Sequence, residues 1–255
     1  MELANKVVVI TGGSGGIGKA MAHAFLAEGA KGIVLADLHE EAVQAAAAQI
    51  GCLSFTCDVT DEAQISALVD YATAQLGPID LFCSNAGAGG NGVLTDADNA
   101  VWQQQWELHV MSHLYAARAV LPSMIERGSG YLLNTASAAG LLAAIGSGPY
   151  TVTKAAAVKM AEFLSITHAD DGIKVSVLCP QGVNTAMAPR SLGDGQTDGI
   201  IEPEALAATV VECLREERFH VLPHPEVEEY VRRKGDNVDR WLVGMQRLRR
   251  RALEG

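Results

Sequence analysis

Basic residues are scarce in this 255-residue chain: 19 Lys and Arg stand against 30 Asp and Glu, a formal net charge of −11. Binding to phosphate backbones is carried mainly by Lys and Arg, so this balance argues against a nucleic-acid partner. The one basic cluster, Arg247, Arg249, Arg250 and Arg251 in RLRRRALEG, reads as a solvated helix end. Long hydrophobic runs are missing too, and no stretch approaches the roughly 18 uninterrupted apolar residues of a membrane span. The opening MELANKVVVITGG holds an acidic residue and only a short apolar run, so we expect no signal peptide and a soluble, cytoplasmic protein. Cysteines are few: Cys52, Cys57, Cys83, Cys179 and Cys213, odd in number and without C-x-x-C. That pattern points to reduced core thiols rather than disulfides or zinc ligands. No internal repeat, low-complexity tract or domain boundary is evident.

What remains is a chain that is 49% hydrophobic and long enough for one large core, so residues 1–255 are expected to form a single domain. Short apolar runs alternate with longer helical patterns. KVVVI (6–10), GIVLA (32–36), LSFTC (53–57), IDLFC (79–83), YLLNT (131–135) and KVSVL (174–178) have the Val, Ile and Leu content of strands buried on both faces. Between them lie segments such as DEAQISALVDYATAQLG, whose Ile65, Leu68, Val69 and Ala72 share one helical face before Gly77-Pro78 stops the helix. A seventh strand, FHVLP (219–223), follows the helix EALAATVVECLREE. Strand and helix in regular alternation predict an α/β Rossmann fold: a doubly wound, seven-stranded parallel sheet with helices on both faces. AGAGGNG (86–92) and SLGDGQTDG (191–199) read as loops over a site, the second within a substrate loop at about 184–200, and a helical extension is expected over about 225–255.

TGGSGGIG (11–18) satisfies G-x-G-x-x-G, G-x-x-G-x-x-G and T-G-x-x-x-G-x-G at once, and the glycines alone do not choose among them. Their context does narrow their use. They follow the first strand directly and open a helix, where a dinucleotide pyrophosphate meets free N–H groups and the positive end of the helix dipole. Asp37 closes the second strand, 19 residues after Gly18, where a carboxylate can accept bonds from both adenosine ribose hydroxyls; alternatively it caps the following helix. In the first case it repels a 2′-phosphate, and with no Lys or Arg in the loop or at position 38, NAD is favoured over NADP.

PYTVTK (149–154) places Tyr150 and Lys154 one helical turn apart on one face. A neighbouring ammonium favours the phenolate, which turns a poor base into a usable one. Ser137, 13 residues upstream of Tyr150 and just beyond a predicted strand, can bond a substrate oxygen or simply cap a turn.

Together these motifs resemble the short-chain dehydrogenase/reductase family over essentially the whole chain. TGGSGGIG is similar to its T-G-x-x-x-G-I-G loop, CDVT to its adenine-contacting segment and SNAGAG to its N-A-G motif, while Ser137, Tyr150 and Lys154 match its catalytic triad in order and spacing. The resemblance implies that NAD is held by Gly12, Ser14, Gly16, Ile17, Gly18, Asp37, Asp58, Val59, Asn85, Ala86, Gly87, Tyr150, Lys154, Val183 and Thr185. It further implies that Tyr150 exchanges a proton with the substrate oxygen, that Ser137 orients this oxygen, and that Lys154 lowers the tyrosine pKa. The family's habit, with an apolar helix at about 98–127, implies a homotetramer or dimer.

Two positions depart from the family pattern. His109 stands where the family usually has Asn at a helix kink. It either substitutes there, shuttles protons itself, or packs away from the site; paired with His113 it would be an i, i+4 metal couple, though no third ligand and no H-E-x-x-H accompany it, and no metal is expected. Gln181 in CPQGVNT stands where the family more often has Gly. Substrate contacts are expected from Ser137, Leu141, Leu142, Ile145, Gln181 and Met187, with Arg190 the only charge, which favours a largely apolar secondary alcohol or ketone. The expected activity is NAD-dependent alcohol dehydrogenation or ketone reduction. A sugar-nucleotide epimerase or dehydratase and a non-catalytic NAD-binding protein are the alternatives.

Overall fold

The computed structural model describes residues 1–90, 92, 94–186 and 198–254. Seven parallel strands, β1 (Val7–Thr11), β2 (Gly32–Asp37), β3 (Leu53–Thr56), β4 (Leu81–Ser84), β5 (Gly130–Thr135), β6 (Ile173–Leu178) and β7 (His220–Val221), lie in the order β3-β2-β1-β4-β5-β6-β7. The order reverses between β1 and β4, and open sheets of this kind bind ligands in the crevice beyond the strand ends at that switch point. Thr11, Ser84, Thr135 and Leu178 end the four strands around it.

The period-two alternation along the strands splits the core into two layers. On one face Val7, Val9, Val34, Phe82, Leu132 and Val175 pack against α3 (Glu62–Leu76), α5 (Ser112–Arg127) and α7 (Gly148–Thr167), whose Leu68, Val120 and Ala161 are buried there. On the other, Val8, Ile10, Leu35, Leu81 and Leu133 pack against α1 (Gly16–Ala27), α2 (Glu40–Ile50) and α8 (Pro203–Glu216), through Phe25, Val43 and Val210. Truncating such buried side chains to Ala costs about 2–5 kcal/mol, so both layers are needed.

Two elements differ from expectation, and the C-terminal extension is helical as expected. The edge strand β7 has two residues rather than five, because only β6 pairs with it and His220 is exposed. The helix expected at about 98–127 is α4 (Asn99–Trp106) and α5 joined by a π turn, Glu107–Met111, that carries His109. The C-terminal extension is a pair of helices, α9 (Glu226–Asp236) and α10 (Val238–Glu254), and Arg247, Arg249, Arg250 and Arg251 lie exposed on α10. Among the described residues no helix is long and apolar enough to cross a membrane. Of the five cysteines four are buried, Cys52 is half-buried, and all are free thiols.

Candidate active site

The glycine loop is built for close approach. Gly12 adopts φ 63°, and a Cβ there would sit 2.9 Å from the Ala86 Cα. A Cβ on Gly18 would run into the Gly12 carbonyl oxygen and lie 2.9 Å from the Gly13 Cα, while one on Gly16 would meet Thr185. Gly15 precedes α1 and no acidic side chain occupies that helix's first turn, so the first N–H groups of α1 face the crevice unclaimed by a side-chain cap. Asp37 is tied to the loop: its Oδ2 accepts from the Ser14 N–H (3.1 Å) and the Ser14 hydroxyl (2.7 Å). Asp58 Oδ1 accepts from the Thr60 N–H (2.9 Å) and hydroxyl (2.7 Å), which fixes the turn after β3.

The N-A-G segment is moored from below. Thr11 Oγ1 accepts the N–H groups of Asn85 (2.9 Å) and Ala86 (3.0 Å), while Asn85 Nδ2 donates to the Thr11 carbonyl and its Oδ1 accepts from Thr135. Thr11 and Thr135 therefore belong to the site's support, although sequence reasoning used Thr11 only as a motif letter and passed over Thr135.

Ser137, Tyr150 and Lys154 come together at the ends of β5 and α7. Ser137 caps α6 (Ala138–Leu141), accepting from the Ala139 N–H at 3.1 Å, and its hydroxyl donates to the Pro180 carbonyl at 3.4 Å, so the cap reading holds, while Ser137 also lines the crevice together with Tyr150. Pro149 sits in the first turn of α7, a position suited to its fixed φ and missing N–H, and sets Tyr150 at the helix start. Lys154 is buried, donates to the Thr135 carbonyl at 3.0 Å, and holds its Nζ 5.7 Å from the centre of the Tyr150 ring. Burial lowers its pKa to about 8. The tyrosine departs from expectation: burial raises its pKa above the usual value, the Ser137 hydroxyl opposes this, and Lys154 is not among the influences, its ammonium lying over the ring.

His109 is fully buried and does not line the crevice. Its Nε2 accepts the Ala88 N–H at 3.3 Å, which leaves the proton on Nδ1 to be donated to Thr153 Oγ1 at 3.1 Å; Thr153 in turn donates to the Pro149 carbonyl. Burial, with the Lys154 and His113 charges, pushes its pKa down to about 2. His109 is a neutral strut between the glycine-rich loop after β4 and α7, with both ring nitrogens committed to Ala88 and Thr153 and neither lone pair left for a metal. His109→Asn is therefore expected to keep kcat within about tenfold, under 1.4 kcal/mol, and to leave the kcat profile between pH 5.5 and 8 unchanged. Loss of an ionisation near pH 6 to 7 in that variant would contradict the assignment.

One continuous cleft of about 1740 Å³ runs past the glycine loop, Asp37, Asp58, the N-A-G segment, Ser137, Tyr150 and Lys154, and not past His109. Gly12, Ser14, Gly16, Ile17, Gly18, Asp37, Asp58, Val59, Asn85, Ala86, Gly87, Val183 and Thr185 line one end, and Ser137, Tyr150, Lys154, Ile145 and Gln181 the other. Leu141 does not line it; it packs on the core, and Leu142 faces the cleft instead. Met187 and Arg190 lie outside the described residues. Gln181 Nε2 donates to Asp198 at 2.8 Å, and Asp198 also accepts from the Tyr230 hydroxyl at 2.9 Å. Charge at this end was expected from Arg190 alone. The structure adds Arg232, Arg233 and Arg240 from α9 and α10, helices that carry no local motif to announce such a role.

Comparison with known proteins agrees with this geometry. Residues 6–194 match the short chain dehydrogenase family model. The chain is 33% identical to the 1-deoxy-11-beta-hydroxypentalenate dehydrogenase of Streptomyces exfoliatus, across 93% of this chain and 90% of that protein. It is 31% identical to the meso-2,3-butanediol dehydrogenase of Serratia marcescens, across 82% and 87%. The crystal structure of a short-chain dehydrogenase/reductase from Burkholderia phymatum in complex with NAD superposes with a TM-score of 0.85 at 28% identity, covering 94% of this chain and 96% of that one. The chain belongs to the short-chain dehydrogenase family. It is an oxidoreductase acting on hydroxyl groups.

Proposed function

We propose that this chain is an NAD-dependent dehydrogenase and ketone reductase for secondary alcohols, with Tyr150 as general acid and base. The observation that carries this reading is that Ser137, Tyr150 and Lys154, the last with its Nζ 5.7 Å from the Tyr150 ring centre and held on the Thr135 carbonyl, line one cleft that continues to the glycine loop. The residues fit the cofactor: glycines stand where a Cβ would fill the cradle, helix α1 points free N–H groups at it, and Asp37 holds a carboxylate at the end of β2. The solved relative from Burkholderia phymatum binds NAD, which supports the assignment. Bound NAD would supply the hydride acceptor for oxidation.

The chain's own groups do the rest. Ser137 Oγ holds the substrate oxygen, Tyr150 Oη takes the alcohol proton or returns it to the carbonyl, and Lys154, anchored on the Thr135 carbonyl, keeps a positive charge under the site. Phe163 and Ile166, 64% and 73% exposed on α7, support assembly with further copies as a homotetramer or dimer. NADH absorbance with a panel of secondary alcohols tests the reading; no turnover of any member would refute it.

Cofactor choice follows from Asp37. Placing a 2′-phosphate against its carboxylate costs more than about 1.4 kcal/mol, so NAD is expected to exceed NADP at least tenfold in kcat/KM. Asp37→Ala should narrow the gap, mainly through KM for the cofactor. Equal efficiency with the two cofactors in the unmodified enzyme would show the carboxylate to be irrelevant.

A further inference from the structure

The C-terminal helices are fastened over the reactive end of the cleft. Tyr230 on α9 donates to Asp198, which Gln181 also holds, Lys234 Nζ donates to the Leu141 carbonyl at 2.5 Å, and Trp241 on α10 lies against Tyr230 with ring centres 6.3 Å apart. From this wall Trp241, Met245 and Leu248 face the cleft, which Leu142 and Ile145 also line. The charges there are almost all committed. Arg232 pairs with Glu229 (2.8 Å) and Asp236 (3.1 Å), Arg233 pairs with Glu229 (2.6 Å), and the two oxygens of Asp198 accept from Gln181 and Tyr230. Arg240 is the exception: it lines the cleft, and among the described residues no carboxylate pairs with it.

A guanidinium that no carboxylate among the described residues holds, beside an apolar wall, selects for a ligand that is apolar along its length and anionic at one point. Arg240 is exposed at the rim of this wall, and its planar fork matches a carboxylate with two parallel hydrogen bonds. In a chain of net charge −11 the long-range field opposes anionic ligands, so a carboxylate substrate needs a local cation of this kind.

Resting on the dehydrogenase reading, we propose that the substrate is a secondary alcohol or ketone on an apolar skeleton that carries a carboxylate remote from the reacting carbon, and that Arg240 is the specificity residue that binds it. This keeps the apolar body expected from Leu142 and Ile145 and adds a charge which those residues did not suggest.

The test uses the full-length protein saturated with NADH, a hydroxylated decalin carboxylate and the methyl ester of the same compound, with binding followed by calorimetry. The carboxylate is expected to bind at least tenfold more tightly than its ester. Arg240→Gln should abolish that preference while NADH affinity stays within threefold, and Arg240→Lys should keep part of it because the charge remains and the fork is lost. Equal binding of acid and ester overturns the proposal. So does an Arg240→Gln variant that loses NADH instead, which would place the guanidinium on the dinucleotide. Failure of the dehydrogenase reading is separate: it appears as no turnover of any alcohol, whatever the binding preference.

Discussion

Tyr150→Phe is expected to lower kcat at least about a hundredfold while NADH still binds, because on the proposed mechanism it removes the hydroxyl that exchanges a proton with the substrate oxygen. The phenol in this structure is the protonated species at neutral pH, since burial raises its pKa and only the Ser137 hydroxyl opposes that. A neutral phenol is well suited to donate a proton to a carbonyl oxygen in the reductive direction. In oxidation it must first lose that proton, and the buried ammonium of Lys154, held on the Thr135 carbonyl, is the cation available to stabilise the phenolate as the site fills and water leaves. Phenylalanine keeps the ring, and with it the edge-on contact to His109 at 5.5 Å, so the cleft wall and the strut behind it should persist. The readouts are kcat in both directions and the NADH dissociation constant. A variant within tenfold of the unmodified enzyme would remove Tyr150 as the acid and base.

The strands were legible because their composition answers to burial on two faces, a property each strand carries locally. KVVVI reads as a strand from its own letters, and the structure shifts it by one residue to Val7–Thr11, where pairing with β2 and β4 begins and ends. FHVLP carries the same kind of letters and yields only His220–Val221 in a strand, because an edge strand's length depends on a partner the segment does not contain. The π turn at Glu107–Met111 was legible only as an expectation attached to a helix kink; nothing in ELHVM specifies an i to i+5 bond.

The cofactor end of the site was readable for the same local reason. TGGSGGIG and Asp37 are fixed to one another by a spacing along the chain, and the bonds from Ser14 to Asp37 realise it. The substrate end was not. Leu141 and Leu142 are adjacent letters with the same hydropathy, and only the packing of α6 decides that the second faces the cleft. Tyr230 reaches Asp198, and through it Gln181, by tertiary contact alone; an amphipathic helix announces that one face is covered, without saying by what. His109 lies between the two cases: its position was flagged by a departure from a motif, and its role had to wait for the Ala88 and Thr153 bonds.

The second large effect is expected at Gly18. Its substitution by alanine adds a methyl group that would meet backbone on two sides, the Gly12 carbonyl oxygen and the Gly13 Cα at 2.9 Å, with no flexible side chain to move aside. The loop must therefore open, and opening it displaces the N–H groups at the start of α1 from the crevice they face. NADH affinity is expected to fall at least about a hundredfold, about 2.7 kcal/mol. Thermal stability should fall far less, because the buried strand residues beneath the loop, Val8 and Ile10, keep their neighbours in the core. Gly235→Ala provides the control: it lies within α9, a Cβ there meets nothing within 4 Å, and replacing a helical glycine by alanine leaves stability equal or up to about 1 kcal/mol higher. Titration of NADH fluorescence into both variants, beside their melting temperatures, separates loss of the cradle from loss of the fold. Unchanged NADH binding in Gly18→Ala would mean that the loop does not hold the dinucleotide in the way its geometry indicates.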